Sequence, residues 1–510
     1  MTAGAGPTPA AGAGRWWPLR FGRPGRLPLA PTTWRGIVLA LAASTAAAAL
    51  AAYQPVVALA TALLGLLCAG LWRRPQAIVF ILIALVPNTK FNVFVGLLTV
   101  FPEYLPLAIA TVVVGLHWAR DGGRFEERNL VALFALLFLA GILSILNSVS
   151  PARVVSKAML IPVAATVTWL VATLVRSERQ LARAMNWFEI TAFVVALYGI
   201  AQILGLFMHW DMGLRFLHRW GNPMFEYAVG APVVRPGSYV FRSNSLFNDP
   251  NILGGYLAAA FAIVLALRIH HGDRPETRRR AAWETLVLGV LLLCEAFSMS
   301  RSGFLGIGAG TIVVLALNPR VARSPRFWSV LGIGVGAVMV FAALGGVKPG
   351  LIVWRMISSF DPADESSSTH LSVGLYALGL VARFPLTGVG LGNFGYYYGS
   401  EVNVSTKAMM SHNAILSVLA ESGLLGGAAF FALVVGVGRR PWRALRHRDA
   451  AVTHPRLYAI TAGLFGALVA LFVSNLFYDY LLRDFVWVIC GLAVAASRLW
   501  EAQAAKAPLP

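Results

Sequence analysis

The stretch DPNILGGYLAAAFAIVLALR (residues 249–268) places an aspartate and a proline before an uncharged apolar run. Aspartate is a preferred N-cap and proline is favoured at the first helical position, so the pair predicts the start of a helix. A run of about 20 such residues can cross the hydrocarbon layer of a bilayer. Because backbone groups in lipid must bond to one another, we expect this run to be a membrane-spanning helix.

Similar runs recur along the chain. Of its 510 residues, 58% are hydrophobic and 13% are charged, whereas soluble domains carry about 25% charged residues. The sequence therefore predicts an all-α integral membrane protein, with about 14 transmembrane helices and a partly helical extracytoplasmic loop. The predicted spans are 34–52, 55–72, 76–97, 103–119, 129–147, 157–175, 186–208, 251–268, 283–300, 302–318, 327–345, 411–438, 456–476 and 484–499.

Arginines are concentrated in alternate loops between these spans, as in RIHHGDRPETRRR (268–280) and RRPWRALRHR (439–448). Positive residues favour the cytoplasmic side, so we expect these loops and both termini to be cytoplasmic. The two long segments, 209–249 and 346–410, then face the other side. This enrichment of positive residues in cytoplasmic loops also accounts for the net charge of +20. We predict no nucleic-acid binding, because no soluble basic face is interleaved with aromatic residues.

The chain is predicted to have five parts. Residues 1–33, rich in Gly, Pro and Ala, predict a disordered basic cytoplasmic tail. The first apolar segment, 34–52, is interpreted as a signal anchor in preference to a cleaved signal peptide, although small residues offer cleavage sites. The remaining parts are N-terminal transmembrane helices (34–208), a core with the two long loops (209–438), C-terminal transmembrane helices (439–499) and a short tail (500–510).

Arg242 begins the stretch RSNSLFNDPN (242–251). A guanidinium binds phosphate through a two-pronged hydrogen-bonding geometry. The hydrogen-bonding residues beside it therefore predict a site for a phosphate or a sugar; they are Ser243, Asn244, Ser245 and Asn248. Asp249 is predicted to be a helix cap, and we assign Asp249 and Asn251 to acceptor binding or structural support.

Arg301 lies in SMSRSGFLG (298–306), which joins two spans with hardly any loop. One interpretation is an arginine that reaches to the membrane interface from an apolar helix. The other interpretation is a functional role, which is the default hypothesis for a charged residue at this depth in a membrane. Ser300, Ser302 and Gly303 make its surroundings small and polar.

The stretch FPLTGVGLGNFGYYY (384–398) contains a formal G-x-G-x-x-G. No strand–helix unit surrounds it, so it predicts no dinucleotide site. The aromatic residues beside it fit sugar stacking and the membrane interface equally well.

His412 stands at the mouth of an apolar helix in SHNAILSVLAESGLLG (411–426). It is either an N-terminal hydrogen-bonding residue or a general base, since imidazole titrates near neutral pH. Glu421 lies on the opposite side of the same helix and roughly 13 Å deeper. We therefore predict that Glu421 is a buried carboxyl bonded to a neighbouring helix.

The predicted outer face thus combines arginines, a histidine and a long loop. It has no Asp-x-Asp or Asp/His cluster suited to a divalent metal. The three cysteines lie in separate apolar runs and predict neither disulfides nor a zinc site. We predict no cofactor and no metal; the residues suit transfer from an already activated lipid diphosphate.

Four of these stretches, in this order, resemble the O-antigen ligase and polymerase superfamily; they are SLFNDPNILGGYLA, SMSRSGFLG, FPLTGVGLGNFG and SHNAILSVLAESGLLG. The resemblance covers residues 242–427. It implies a GT-C-type glycosyltransferase of the bacterial cytoplasmic membrane. Such an enzyme moves a glycan from a polyprenyl-diphosphate carrier to an acceptor on the extracytoplasmic face, without a metal and with inversion. The resemblance also implies that Arg242 contacts the diphosphate and that His412 activates the acceptor hydroxyl. Asn413 is assigned, like Asp249 and Asn251, to acceptor binding or structural support.

One position departs from the family pattern. Members place a second essential arginine before the P-x-x-G-x-G turn, and the corresponding position here is His370. Either His370 takes this role, or Arg355 or Arg383 supplies the charge. The candidates for diphosphate binding are therefore Arg242, Arg301, Arg355 and His370.

The acceptor is a second lipid-linked glycan, a lipid core or a protein, so polymerase and ligase both remain open. The alternative function is a membrane transporter of a lipid-linked saccharide, and a third is a non-catalytic scaffold. A transporter often shows two matching halves with broken helices. We find no such repeat, and the candidate charges cluster at one face.

Overall fold

The computed structural model describes residues 55–90, 93–95, 98–121, 127–207, 230–235, 238–272, 275–344, 350, 357, 365–402, 411–446 and 450–504. The predicted tail (1–33), the predicted anchor (34–52), most of the loop 209–249 and Arg355 lie outside these residues. The chain divides into two compact units, one within residues 1–75 and 109–125, the other within 76–108 and 126–510. The candidate site residues all belong to the second unit.

The described chain is mainly helical. Its helices are α1 (Pro55–Arg73), α2 (Ala77–Leu85), α3 (Tyr104–Asp121), α4 (Arg128–Leu143), α5 (Pro151–Ala158), α6 (Leu160–Leu174), α7 (Glu178–Phe207), α8 (Pro250–His271), α9 (Arg278–Ser298), α10 (Arg301–Leu317), α11 (Pro319–Ala322), α12 (Pro325–Leu344), α13 (Glu365–Arg383), α14 (Phe394–Glu401), α15 (Ala414–Arg446), α16 (Ala450–Thr453), α17 (Pro455–Asn475) and α18 (Asp484–Ala504). Short 3₁₀ helices cover Ser144–Asn147 and Pro275–Thr277.

Two short antiparallel hairpins accompany the helices. The first pairs β1 (Val93–Val95) with β2 (Leu98–Val100), so that Val93 lies opposite Val100. The second pairs β3 (Gly230–Arg235) with β4 (Ser238–Arg242), and β4 ends at Arg242.

Eight described segments are long and apolar enough to cross a membrane, which makes this a multi-pass membrane protein. They are Arg128–Asn147, Pro151–Leu174, Glu178–Gly205, Pro250–His271, Pro275–Ser298, Ala414–Arg446, Pro455–Asn475 and Asp484–Gln503. Four shorter apolar helices cover Leu63–Arg73, Tyr104–Arg120, Arg301–Leu317 and Phe327–Phe341. The predicted total of about 14 stays a prediction.

The predicted span at 76–97 is wrong. Helix α2 ends at Leu85 and is only about 14 Å long, and the chain then enters β1 and β2. Pro87 lacks the amide that would continue the helix. The side chain of Asn88 donates to the carbonyls of Ala84 and Leu85 at 3.0 and 3.1 Å, which satisfies the end of the helix.

Helix α8 is the centre of the second unit and is buried along most of its length. It packs against α9, α10 and α17, and α10 also packs against α17. A methyl group built on Gly310 of α10 would lie 3.0 Å from Ala262 Cβ, and one on Gly463 of α17 would lie 3.0 Å from Ile263 Cα. Small residues therefore let these helices approach closely, as is typical of membrane helices.

The closest approach joins the N-terminal ends of α8 and α10. A methyl group on Gly303 would lie 2.7 Å from the Cα of Gly254 and would also collide with the carboxylate of Glu295. Ser300 caps α10 by accepting from the amide of Gly303, and its hydroxyl donates to Asn251 Oδ1 at 3.2 Å. This contact fixes the position of Asn251, at the start of α8.

We predict that Gly303→Ala destabilises the protein, because the added methyl group meets backbone that cannot move without separating α8 from α10. Overpacking of this kind costs about 1–3 kcal/mol, which lowers the unfolding temperature in detergent. Gly308→Ala is the matched control on the same helix, since nothing lies within 4 Å of a methyl group there. An equal effect of the two substitutions would contradict the packing argument.

Candidate active site

Arg242 is held rigidly where β4 ends. Its Nε donates to the carbonyl of Ser298 and its Nη2 donates to Asn251 Oδ1, both at 2.8 Å. The residue is only 8% exposed. Burial lowers the pKa of the guanidinium below its usual value, while the negative charges of Asp249 and Glu295 oppose this shift. The side chain is therefore a fixed cation, as an anion site requires.

A second guanidinium shares this end of the helices. Arg301 is the first residue of α10, and its charge acts directly on Arg242. Beneath them lies Glu295, whose side chain is fully buried and whose Oε2 accepts from Ser298 Oγ at 3.0 Å. Arg242 and Arg301 are therefore two neighbouring guanidiniums, a group that suits an anionic ligand, and the charges of Asp249 and Glu295 act on Arg242 beside them.

The residues that follow Arg242 face the protein interior. Ser243 Oγ donates to the carbonyl of Gly199 at 2.9 Å, and Ser245 Oγ donates to that of Val195 at 2.6 Å. Asn244 is also buried. The expectation that these three side chains bind phosphate or sugar is therefore wrong: they attach the end of β4 to α7.

Lys90 also holds the segment that follows Arg242, a role that was not predicted from the sequence. Its ammonium group donates to Asn244 Oδ1 at 2.7 Å, and its amide donates to the carbonyl of Leu246 at 3.2 Å. The residue is buried, and burial lowers the pKa of its ammonium to about 7. A lysine inside an apparent apolar span is itself a signal that could have drawn attention to it.

Asp249 caps α8 as predicted, since its carboxylate accepts from the amide of Asn251 at 2.7 Å. The same carboxylate hydrogen-bonds with Tyr478, in the loop between α17 and α18. Burial, the charge of Asp249 and this bond together raise the pKa of the Tyr478 phenol. The ring of Tyr478 lies 5.6 Å from that of His412, measured between centroids, and Tyr478 also acts electrostatically on Arg242. Tyr478 therefore lies between the arginine and the histidine.

His412 has a left-handed backbone, with φ of 53°. Such strained positions are often functional. Its ring is half-buried, and Nδ1 has no hydrogen-bond partner within the described part of the chain. Burial lowers the pKa of the imidazole below 6.5, against the opposing charges of Asp249 and Asp479. The ring is therefore neutral at pH 7 and can accept a proton.

Asn413 has a structural role. Its Oδ1 accepts from the amides of Ile415 and Leu416 at 3.0 Å each, which caps α15. Its Nδ2 donates to the carbonyl of Leu476 at 2.9 Å. Asn413 therefore ties the start of α15 to the end of α17.

Of the two candidates for the second cation position that the structure describes, His370 lies nearer to the other site residues. It is exposed on α13, and its ring lies 4.6 Å from that of His412, measured between centroids. Arg383 lies about 20 Å further along the same helix, where it pairs with Glu401 at 2.7 Å. Arg355 lies outside the described residues.

The P-x-x-G-x-G stretch is a packing turn. Gly388, Gly390 and Gly392 all have positive φ. The amides of Val389 and Gly390 donate to the carbonyls of Ala420 and Glu421 at 2.9 Å each. Helix α15 is broken there, because Gly423 has φ of 65° and ψ of −165°. The turn supplies hydrogen bonds to the broken helix, which is consistent with the prediction of no dinucleotide site.

Most of the aromatic residues after this turn are also used in packing. Phe394 and Tyr398 are buried in a cluster with α13, and the Tyr397 hydroxyl donates to the carbonyl of Asn147 at 2.7 Å. Tyr396 remains exposed, with the guanidinium of Arg153 4.8 Å from the centre of its ring. Packing therefore explains Phe394, Tyr397 and Tyr398 without sugar stacking or a place at the membrane interface.

Glu421 is a buried carboxyl bonded to a neighbouring helix, as predicted. Its partner is Lys157 of α5, with Nζ 2.7 Å from Oε2. Asp479 acts electrostatically on both Lys157 and His412. The ion pair therefore lies close to the histidine end of the site.

Tyr478 and Asp479 were not predicted as site residues; they lie in NLFYDYLLRD (475–484). This polar segment joins two apolar runs, and it lies on the same predicted side of the membrane as His412. Its tyrosines and aspartates could have marked it as part of the site.

The fold and the site define a multi-pass helical membrane protein with two arginines and two histidines at one end. Residues 286–431 match the family model described as O-antigen ligase. The matched region runs from α9 into α15 and contains Arg301, His370 and His412, while Arg242 precedes it. The match confirms the predicted resemblance and supports a glycan-transferring, ligase- or polymerase-type role in polysaccharide biosynthesis. No curated protein matches the chain.

We predict that Lys157→Met destabilises the protein, because it leaves the buried carboxylate of Glu421 without its counter-ion. Removing one partner of a buried pair costs about 3–5 kcal/mol, and we expect about 2–3 kcal/mol here because Lys157 is partly exposed. Thermal unfolding in detergent measures the loss. The double variant Lys157→Met/Glu421→Leu should recover much of it.

Arg153→Met, which removes an exposed cation from the same helix, is the control for Lys157→Met. Its unfolding temperature should stay near that of the wild type. If the double variant is no more stable than Lys157→Met, the ion pair is not what stabilises this contact.

Proposed function

We propose that the protein transfers a glycan from a polyprenyl-diphosphate carrier to an acceptor hydroxyl, and that it does so at the end of the bundle where Arg242 and His412 lie. The observation that carries the proposal is the position of Tyr478, which contacts the ring of His412, hydrogen-bonds with Asp249 and acts on Arg242. An anion site and a candidate base are thus neighbours. The O-antigen ligase match over residues 286–431 supports the same reaction class.

In this proposal Arg242 and Arg301 bind the diphosphate of the donor. The diphosphate becomes the leaving group, so negative charge grows on its bridging oxygen as the sugar departs. Hydrogen-bond donors of the protein that are already oriented stabilise such charge most effectively. The bonds from Arg242 to Ser298 and Asn251 support this role, since they orient the guanidinium before the donor binds. His370 and Arg355 remain candidates for further phosphate contacts.

His412 is proposed to act as the general base. The acceptor oxygen forms a bond with the anomeric carbon from the side opposite the diphosphate, and the bond from that carbon to the diphosphate oxygen breaks. The hydroxyl proton passes to the imidazole of His412, and the configuration of the sugar inverts. The proposed step uses no metal, because Arg242 and Arg301 supply the positive charge that stabilises the departing diphosphate. The low pKa of His412 supports a neutral base at pH 7.

The proposed location is the cytoplasmic membrane of a bacterium, with this site facing away from the cytoplasm. The arginine-rich loops support the orientation, since they fall on the opposite side. Reconstitution with a polyprenyl-diphosphate glycan tests the function and separates its two forms. Stepwise lengthening on the carrier indicates a polymerase, and product on a separate lipid or protein acceptor indicates a ligase. No transfer in either assay would overturn the proposal.

We predict that Arg242→Ala abolishes transfer and that Arg242→Lys restores little of it. A lysine keeps the charge but loses the geometry that bonds both Ser298 and Asn251. Initial rates over a series of donor concentrations measure the effect. Arg383→Lys, an exposed arginine in a surface ion pair, is the matched control and should remain active. Nearly normal transfer by Arg242→Lys would mean that only a positive charge is needed.

We predict that His412→Gln lowers the transfer rate about 10²–10⁴-fold while expression and stability stay near those of the wild type. Glutamine keeps a hydrogen-bonding group but cannot take the proton. In the wild type, activity should fall on acidification only below pH 6.5, because the imidazole must lose its proton and its pKa is lowered. Asp479→Asn should move this fall to still lower pH, since the Asp479 charge raises the pKa of His412.

His454→Gln is the control for His412→Gln, because His454 lies at the N-terminal end of α17, far from Leu476. It should retain activity. If His412→Gln keeps most of its activity, His412 orients the acceptor and is not the base.

A further inference from the structure

A cavity lined by basic and apolar residues lies at the other end of α8. It encloses about 430 Å³ between α7, α8, α9 and α17. Its residues include His270 and His271, about 30 Å along α8 from the cap at Asp249. The cavity is therefore separate from the candidate active site, and the proposed transfer reaction does not use it.

The polar wall of this cavity is cationic. Arg280 of α9 and Arg456 of α17 line it, together with His270 and His271, and Met185 and Leu267 are among its apolar residues. Arg456 is exposed. A ligand that enters meets two guanidiniums and two imidazoles beside apolar surface.

The carboxylates nearby are sealed behind the arginine. Arg280 pairs with Glu189 and with Glu284, its Nε lying 3.1 Å from Glu284 Oε1, and both glutamate side chains are fully buried. The Arg280 side chain is 31% exposed. Its Nη2 also donates to Asn186 Oδ1 at 3.0 Å. The buried acids therefore fix the guanidinium in place, and neither of them lines the cavity.

His271 is fixed in the same way, with Nδ1 2.9 Å from Glu284 Oε1. Two helix N-termini also reach the cavity, because Thr277 immediately precedes α9 and Arg456 is the second residue of α17. Helix N-termini carry partial positive charge. The C-terminus of α8 opposes them, but it ends in the basic residues Arg268, His270 and His271.

We propose that this cavity binds a phosphate group with net negative charge, carried by the headgroup of an anionic phospholipid or by a soluble phosphate. Fixed guanidiniums suit phosphate oxygens, and the apolar residues suit the glycerol and upper acyl region of a lipid. Basic pockets between the cytoplasmic ends of membrane helices are typical places for acidic lipid headgroups. The predicted topology puts this end on the cytoplasmic side.

The test uses the full-length protein in a neutral detergent. We titrate it with phosphatidylglycerol, phosphatidylcholine or inorganic phosphate, and follow bound ligand by native mass spectrometry and the unfolding temperature. Phosphatidylglycerol should bind and raise the unfolding temperature, and phosphatidylcholine should do neither. Arg456→Gln should weaken binding about tenfold, the loss expected for one charged hydrogen bond, and Arg456→Glu should weaken it further.

Arg320→Gln is the matched control, because Arg320 is an exposed arginine on α11 and does not line the cavity. It should bind phosphatidylglycerol like the wild type. Binding of inorganic phosphate that depends on Arg456, without lipid binding, would support the proposal with a soluble ligand as the source. No binding of either ligand, or equal binding in the Arg456 and Arg320 variants, would overturn it. Neither result depends on glycan transfer.

Discussion

The close approach of α8 and α10 at Gly254 and Gly303 is the constraint on which the candidate active site depends. Because neither glycine has a side chain, the starts of the two helices can meet. Ser300 and Asn251 therefore come within hydrogen-bonding distance. Asn251 and the carbonyl of Ser298 then orient Arg242. In a membrane, close packing of small residues is one of the few sources of helix–helix affinity. The same contact that holds the bundle together therefore fixes the cation proposed to bind the donor.

Helix α15, which begins just after His412, is broken at Gly423. The turn after Pro385 fills this break, and its amides bond to carbonyls that an unbroken helix would use itself. Asn413 anchors the start of α15 to Leu476. That anchor brings the loop after α17 beside His412, where Tyr478 and Asp479 contribute a ring and a charge. His370 of α13 and Tyr478 of the loop after α17 therefore both lie against the ring of His412.

Charges in this protein fall into two groups. Some are compensated inside the helices, as Glu421 is by Lys157 and Glu189 is by Arg280. Burying such pairs has a desolvation cost, so they are weak evidence for stability and better evidence for a fixed geometry. Others, including Arg242 and Arg456, carry positive charge at the ends of the bundle. The proposed ligands at both ends carry phosphate groups, and only at the candidate active site is a histidine proposed to act as a base.

The sequence by itself determined the features that depend on neighbouring residues. Hydropathy predicted α8 and α17 to within a few residues of their observed limits, and the predicted cap Asp249 stands where α8 begins. The tertiary structure decided the long-range pairings. Glu421 was predicted to bond to another helix, but Lys157 lies 264 residues away, and nothing local identifies it. Ser243 and Ser245 look like ligand-binding residues in the sequence, yet they face α7. A side chain's partner depends on which helices pack together. In this bundle, small residues spread over α8, α10 and α17 allow those three helices to pack closely.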